Sequence, residues 1–252
     1  MIFFIALRKE LLEQWYSYRL LIVTVVLLFF GLTSPLLAKL TPEIVRLVPN
    51  GEQLAGIIPP PTVADAVAQY IKNMGQFGVV IALLMTMGAV AQEKDKGTAA
   101  LMLVKPLPRG VFLGAKLAAL ALTFAVSISL AGVACYYYTL VLFDGLDIAR
   151  WLAVNGLMLL FVLVYVALTL LCSTLTDSLV AAGGLAFALM VVLVGASALP
   201  VVNEYLPGQL LAWGAELMAG TSTVYWPALG VSTGIILGAF IGAWAILQRQ
   251  EI

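Results

Sequence analysis

Six long apolar stretches constrain the fold of this 252-residue chain more than any other feature. A helix that crosses a bilayer needs roughly 20 mostly apolar residues. We predict six spans, at about 20–38, 73–92, 111–142, 151–171, 179–199 and 224–247. Only 10% of the residues are charged, whereas a soluble domain has about 25%. The sequence therefore predicts an all-α integral membrane protein with a single transmembrane domain over 1–252.

The second span has the least obvious start. Its uncharged stretch, 73–92, ends at Glu93, but the helix is expected to begin well before it. Thr62 and Asp65 have the spacing of a capping box, in which each satisfies a free backbone N–H group of the other at a helix N-terminus. The first turns of this helix would then lie outside the hydrocarbon.

The basic residues indicate the orientation. Six spans place both termini on one side, and that side carries nine of the thirteen basic residues: Arg8, Lys9, Arg19, Lys94, Lys96, Lys105, Arg109, Lys116 and Arg249. The opposite side carries only Lys39, Arg46, Lys72 and Arg150. By the positive-inside rule, both termini are cytoplasmic. We expect a multi-pass protein of the cell's inner (plasma) membrane.

The N-terminal segment 3–19 is predicted to form an amphipathic elbow helix. Its apolar residues recur at steps of three or four: Phe4, Leu7, Leu11, Trp15 and Tyr18. This spacing is typical of a helix that lies along the inner leaflet. Such a helix either anchors the chain or transmits movement to cytoplasmic partners. A cleavable signal peptide is not expected, because Arg8 and Lys9 follow the first apolar residues instead of preceding them.

Composition excludes several classes of function. The chain has no histidine, which excludes His-based catalytic triads and His-ligated metal sites. Cys135 and Cys172 lie in apolar runs and are interpreted as buried hydrophobic residues. The spans are almost free of charge, which disfavours a gradient-driven transporter. We predict neither catalytic nor metal-binding residues, and no residue is indicated as a substrate ligand.

Glycines recur along the sixth span. Gly230 and Gly234 enclose a G-x-S-x-G pattern, but a nucleophile of that type needs a histidine base. Gly230, Gly234, Gly238 and Gly242 form three tandem GxxxG steps on one helical face, which allows another helix to approach closely. That helix belongs either to the same chain or to a second copy.

Two further segments of the chain are predicted to form short helices. The stretch 200–225 is expected to be a re-entrant or interfacial helix at the outer mouth, or to lie flat on the leaflet. In the coupling loop 93–109, Thr98 is suited to cap a short helix that Pro106 and Pro108 would end. Spacing alone does not distinguish this loop from other charged loops between spans.

The residues of this loop resemble the signature of the type-2 ATP-binding-cassette (ABC-2) permeases. That signature has a Glu at the end of the second span, then a Gly-Thr pair, a Leu, a Pro and an Arg, and a Gly and a Lys that open the third span. The matching residues here are Glu93, Gly97, Thr98, Leu101, Pro106, Arg109, Gly114 and Lys116. The elbow helix, six spans and cytoplasmic termini agree with the same family.

The resemblance implies the permease subunit of an ATP-driven exporter. Loop 93–109 would be a coupling helix that docks on a separate ABC ATPase, present in two copies. Six spans would form half of a pathway, completed by a second permease copy or a related chain around a two-fold axis. No G-x-x-x-x-G-K-[ST] motif occurs in the chain, so ATP and magnesium are expected in the partner subunit and the permease itself is not an enzyme. No nucleic-acid partner is indicated.

The resemblance also suggests roles for individual residues. Glu93 is expected to pair with Arg8 or Lys9 of the elbow, with a solvated carboxylate as the alternative. Arg109 and Lys116 are predicted to contact lipid phosphates at the inner interface. The alternative function is an ATPase-coupled membrane component that serves assembly or signalling without moving a solute itself.

Overall fold

The computed structural model describes residues 2–47, 59–97, 108–143, 145–221 and 224–250. All regular secondary structure in these ranges is helical. The helices are α1 (Ile2–Tyr16), α2 (Arg19–Arg46), α3 (Val63–Thr86), α4 (Ala91–Asp95), α5 (Arg109–Leu142), α6 (Ile148–Leu175), α7 (Leu179–Ala196), α8 (Pro200–Asn203), α9 (Gly208–Ala219) and α10 (Trp226–Arg249).

Six of these segments are long and apolar enough to cross a membrane: α2, α3 together with α4, α5, α6, α7 and α10. The predicted all-helical, six-span architecture is confirmed. The early start of α3 is also confirmed, because the backbone N–H of Thr62 donates to Asp65 Oδ2 at 2.8 Å and the hydroxyl of Thr62 donates to the same oxygen at 2.7 Å. These bonds satisfy a helix N-terminus that would otherwise leave free N–H groups.

The core of the bundle forms around α3 and α6. Both helices are largely buried, whereas α7 and α10 expose most of their apolar surface. The side chains of Tyr70, Phe124 and Met158 are almost completely enclosed. Since lipid tails are as apolar as leucine, exposed apolar helices at the periphery are what a membrane-embedded bundle requires.

Hydrogen bonds between polar side chains join the central helices. The hydroxyl of Tyr70 in α3 donates to Asn155 Oδ1 in α6 at 2.8 Å. The buried amide of Asn73 donates to Ser34 Oγ in α2 at 2.9 Å. A polar group within the hydrocarbon needs such a partner, because unsatisfied groups are costly there. These bonds therefore favour one packing arrangement of α2, α3 and α6.

The segment predicted at 200–225 packs on the bundle. Its main helix, α9, contacts α3, α6 and α10. Leu210 is fully enclosed and Trp213 is buried. Because these side chains contribute to the same core as α3 and α6, α9 is part of the folded domain and does not lie apart on the leaflet.

The glycines of α10 lack a neighbour in most positions. A Cβ atom built at Gly230, Gly234 or Gly238 would have no atom of the described residues within 4 Å. At Gly242 it would lie 3.4 Å from Leu171 Cδ1. Packing of the first three glycines against the described part of this chain is therefore not observed, and packing against a second copy stays a prediction.

Close approach of α2 and α5 generates a testable prediction. A Cβ at Gly31 would lie 2.5 Å from the backbone oxygen of Ala131, and a backbone atom cannot move aside as a side chain can. We expect Gly31→Ala to destabilise the protein by about 1–3 kcal/mol, the usual cost of overpacking. Thermal unfolding in detergent measures the effect. Gly156→Ala is the matched control, because a Cβ there meets nothing within 4 Å, and equal melting temperatures for the two variants would contradict the prediction.

Candidate coupling site

Helix α1 turns polar side chains toward the protein. Glu10 and Gln14 are buried, whereas Phe4, Trp15 and Tyr16 are largely exposed. An N-terminal helix with this distribution offers its apolar side to a surrounding membrane and its carboxylate to the bundle. A helix occupies Ile2–Tyr16 of the predicted segment 3–19, and the chain then turns through Tyr18 in a left-handed conformation with φ 58°. Its position as an elbow along the inner leaflet stays a prediction.

A buried lysine forms the centre of the site. The side chain of Lys116 in α5 is 3% exposed, and its ammonium lies 3.1 Å from Glu10 Oε2 and 2.7 Å from Glu93 Oε1. Burial of an unpaired ammonium is expensive, so two carboxylates within hydrogen-bond distance make this position tenable. The predicted contact of Lys116 with lipid phosphates is wrong, because the two glutamates enclose the ammonium inside the protein.

Lys9 adds a second cation to the same cluster. Its ammonium lies 3.0 Å from Glu10 Oε1, 3.1 Å from Glu13 Oε2 and 3.5 Å from Glu93 Oε1. Of the two predicted elbow partners of Glu93, the structure therefore selects Lys9. Arg8 is exposed and forms no ion pair with any described residue.

The pKa values of Lys9 and Glu13 reflect this pairing. Burial lowers the pKa of Lys9, but attraction to Glu10 and Glu93 and hydrogen bonds to Glu10 and Glu13 outweigh it, so the net pKa is raised. Burial raises the pKa of Glu13, but the hydrogen bond and charge of Lys9 outweigh that effect, so the net pKa is lowered. Both shifts favour the charged forms that hold α1 on the bundle.

Two hydrogen bonds extend the contact between α1 and its neighbours. The hydroxyl of Thr123 in α5 donates to Gln14 Oε1. At the start of α2, the guanidinium of Arg19 donates to Gln92 Oε1 at 3.5 Å. The contact of α1 thus spans more than one turn of α5, and the start of α2 is bound to α4. The sequence analysis did not identify Glu10, Gln14 or Thr123, since nothing in an amphipathic pattern indicates that its polar side faces protein.

The hydrogen-bond ladder is interrupted between α3 and α4. The hydroxyl of Ser173 in α6 donates to the backbone oxygen of Met87 at 2.8 Å. Ser173 Oγ in turn accepts from the backbone N–H groups of Val90 and Ala91, each at 3.0 Å. One buried serine therefore replaces the backbone partners that a continuous helix would supply, which is a recognised cause of helix kinks. In the structure, the segment predicted as the second span therefore consists of a long helix, α3, followed by a short one, α4.

Helix α4 is held from its other side by the end of α6. The ammonium of Lys94 donates to the backbone oxygen of Thr174 at 2.7 Å and lies 3.3 Å from Asp177 Oδ1. Asp177 is largely exposed, so this ion pair contributes little, and the bond to the Thr174 oxygen is the stronger tie. Glu93 and Lys94, adjacent in sequence, thus connect α4 to α1 and α5 on one side and to α6 on the other.

Arg109 connects the start of α5 to the end of α10. Its guanidinium donates to the backbone oxygen of Leu247 and, at 3.0 Å, to that of Gln250. The last carbonyl groups of a helix lack intrahelical partners and carry partial negative charge, so a cation is well placed there. The predicted lipid-phosphate contact of Arg109 is therefore wrong.

The remaining predicted coupling residues follow α4. Gly97 has φ +66°, a left-handed conformation that glycine adopts without steric cost. It lies two residues after the end of α4 at Asp95 and is the last described residue before the loop. Thr98, Leu101 and Pro106 lie outside the described residues. The structure thus brings together Lys9, Glu93 and Lys116, and Arg109 lies apart from them at the α10 contact. Gly97 follows Glu93 by four residues.

Removal of the central cation tests the pairing. In Lys116→Met the side chain keeps its approximate length, but Glu10 and Glu93 lose their buried counter-charge. We expect a loss of about 3–5 kcal/mol of stability, typical of breaking one side of a buried ion pair, measured by thermal unfolding in detergent. Adding Glu10→Gln to that variant should recover part of the loss. Lys72→Met, at an exposed lysine, is the control, and equal effects of both lysine variants would contradict the buried pairing.

The lowered pKa of Glu13 predicts a pH dependence. A carboxylate with a depressed folded-state pKa stabilises the fold above its ordinary value of 4.5, and this contribution disappears as the pH falls through the lower folded-state value. We therefore expect wild type to melt at a higher temperature than Glu13→Gln at pH 7, and the difference to vanish in acid below pH 4.5. A difference that stays constant down to pH 3 would contradict the assignment.

Comparison with known proteins identifies a family of membrane proteins. The family model described as "ABC-2 family transporter protein" matches residues 5–206, which is most of the chain. A protein of Bacillus subtilis (strain 168) described as "Uncharacterized transmembrane protein YxlG" is 26% identical over 208 residues, which cover 81% of this chain and 80% of that protein. The chain therefore belongs to the ABC-2 transporter family, as one of its multi-pass membrane components.

Proposed function

We propose that this chain is the permease subunit of an ATP-driven ABC exporter. Two permease copies, or this chain and a related one, form the pathway, and two separate ATPase subunits drive it through the segment 93–109. The observation that carries the proposal is the ion pairing of Glu93. Glu93, the first residue of this segment, forms ion pairs with both Lys116 of the third span and Lys9 of α1.

Transmission follows from these contacts. An ATPase that binds the loop after α4 displaces α4, and Glu93 passes this displacement to α1 and α5. Lys94 passes it to α6 through the backbone oxygen of Thr174. Because ion pairs and hydrogen bonds inside a protein of low dielectric are strong, α4 and its three neighbours move as one unit. Such a unit converts closure of the ATPase into rearrangement of the spans.

The energy source is assigned to the partner. The chain carries no phosphate-binding loop motif, so ATP and magnesium bind in the ATPase subunits. We place both termini and the loop in the cytoplasm, on the side with the larger number of basic residues, and the protein in the inner (plasma) membrane. The exposed glycine face of α10, at Gly230, Gly234 and Gly238, is available for contact with a second copy.

Glu93→Gln tests the coupling. The variant keeps the shape of the side chain but weakens its attraction to Lys9 and Lys116. After co-expression with the ABC ATPase that serves as its partner subunit, we expect both proteins to co-purify while permease-stimulated ATP hydrolysis falls about tenfold, a typical size for lost coupling between sites. Glu43→Gln, at an exposed carboxylate paired only with nearby Arg46 among the described residues, is the matched control.

Replacement of Gly97 by valine is a second test at the same loop. A β-branched residue is strained at φ +66°, so the variant should insert normally but bind the ATPase more weakly. If Glu93→Gln and Gly97→Val both bind and stimulate the ATPase as wild type does, the coupling role is refuted. Stimulated hydrolysis without any vesicle transport would instead favour the role in assembly or signalling.

A further inference from the structure

One face of α3 is left without a partner helix in the described part of the chain. Side chains along it recur at steps of three or four residues, which places them in one row. All of them are exposed: Asp65, Ala68, Lys72, Gln76 and Val80. Two open cavities, of about 420 and 450 Å³, lie along this row.

The two cavities differ in chemistry and meet at one residue. The first, near the start of α3, is lined partly by polar groups that include Thr41, Asp65 and Gln69. The second, deeper along the helix, has almost entirely apolar walls from α3, α6, α7 and α9. Lys72 lines both cavities. The row on α3 therefore changes from polar to apolar at a lysine.

Lys72 is the available charge at this junction. It forms no ion pair or hydrogen bond with any described residue. Asp65, the other charge of the row, accepts two hydrogen bonds from Thr62 and lies about 10 Å further along the helix axis, at 1.5 Å per residue. The ammonium of Lys72 is thus available to an anion located where polar and apolar cavities meet.

We propose that this face binds an anionic amphiphile of the bilayer, with an acyl chain in the deep cavity and the anionic group at Lys72. The proposal names the ligand class of the proposed permease and so rests on that function. The deep cavity, of about 450 Å³, has the size and apolar character of small-molecule sites. Because the bilayer interior is as apolar as these walls, the acyl chain can enter the cavity at little cost, and attraction of the anionic head to Lys72 supplies the preference.

Symmetry argues against a second copy as the occupant. In a two-fold contact the same surface faces itself, so this row would bring Lys72 of one copy toward the identical lysine of the other. Asp65 is too far along α3 to neutralise that pair. Like charges in close contact are unfavourable, whereas an anionic amphiphile supplies the missing counter-charge.

Photolabelling tests the proposal. The purified protein is reconstituted in vesicles that contain phosphatidylglycerol or phosphatidylcholine, each with a diazirine on one acyl chain, then irradiated and mapped by mass spectrometry. We expect labels in 75–80 and in facing segments of α6 and α7. Phosphatidylglycerol should label about fivefold more than phosphatidylcholine, the ratio for one lysine near an anionic headgroup.

Matched variants identify the groups responsible. Lys72→Gln should abolish the preference for phosphatidylglycerol and Lys72→Arg should keep it, while Lys39→Gln, at another lysine of the predicted outer side, should leave it unchanged. Val80→Trp, at an exposed lining residue, should fill the cavity and reduce labelling by both lipids. Val133→Trp, at an exposed position on α5, should leave labelling unchanged.

Three results would overturn the proposal: equal labelling by both lipids in wild type, a preference that survives Lys72→Gln, or disulfide cross-linking of Val80→Cys to a second copy with no label. The labelling needs no ATPase. Failure of the labelling therefore leaves the coupling function standing, whereas normal labelling with no effect of Glu93→Gln on ATP hydrolysis overturns coupling alone.

Discussion

The ammonium of Lys116 between the carboxylates of Glu10 and Glu93 is the interaction on which the end of the bundle around α4 depends. A lone buried charge costs several kcal/mol even after relaxation, of the order that would unfold a typical domain. The buried ammonium therefore requires the two carboxylates, which Lys9 also contacts. Since the ammonium and the two carboxylates come from α1, α5 and α4, these helices must assemble together, and α1 must turn its polar side inward to complete the set.

Away from this cluster, different forces hold different parts of the bundle. The centre, α3 and α6, combines apolar packing with hydrogen bonds such as Tyr70 to Asn155. The periphery, α7 and α10, presents apolar surface that a bilayer or another subunit can cover. Strong charge pairing is concentrated near α4, and the row around Lys72 faces open cavities. The charge cluster and the open cavities are thus at different positions along the bundle.

Sequence was sufficient for features that depend on local pattern. Span number follows from the length of apolar runs, and the start of α3 follows from the spacing of Thr62 and Asp65. The sequence did not predict the partners of Lys116 and Arg109. Distance from the membrane edge indicates access to lipid, but it does not indicate which carboxylates or carbonyl groups lie within hydrogen-bond distance. Ser173 was missed for the same reason, since it acts on a segment more than 80 residues away in sequence. For the α10 glycines, periodicity identifies a face without identifying what covers it.

In the proposed mechanism, the break at Ser173 determines how a displacement of α4 by the ATPase reaches the spans. Val90 and Ala91 are bound to a side chain of another helix, so α4 does not continue the hydrogen-bond ladder of α3. A force applied to α4 is therefore not transmitted along the axis of α3. The displacement is passed on instead through the contacts of α4 with α1, α5 and α6. Under the proposed coupling, such a displacement tilts the ends of α1, α5 and α6 that contact α4, while the part of α3 before Met87 moves less.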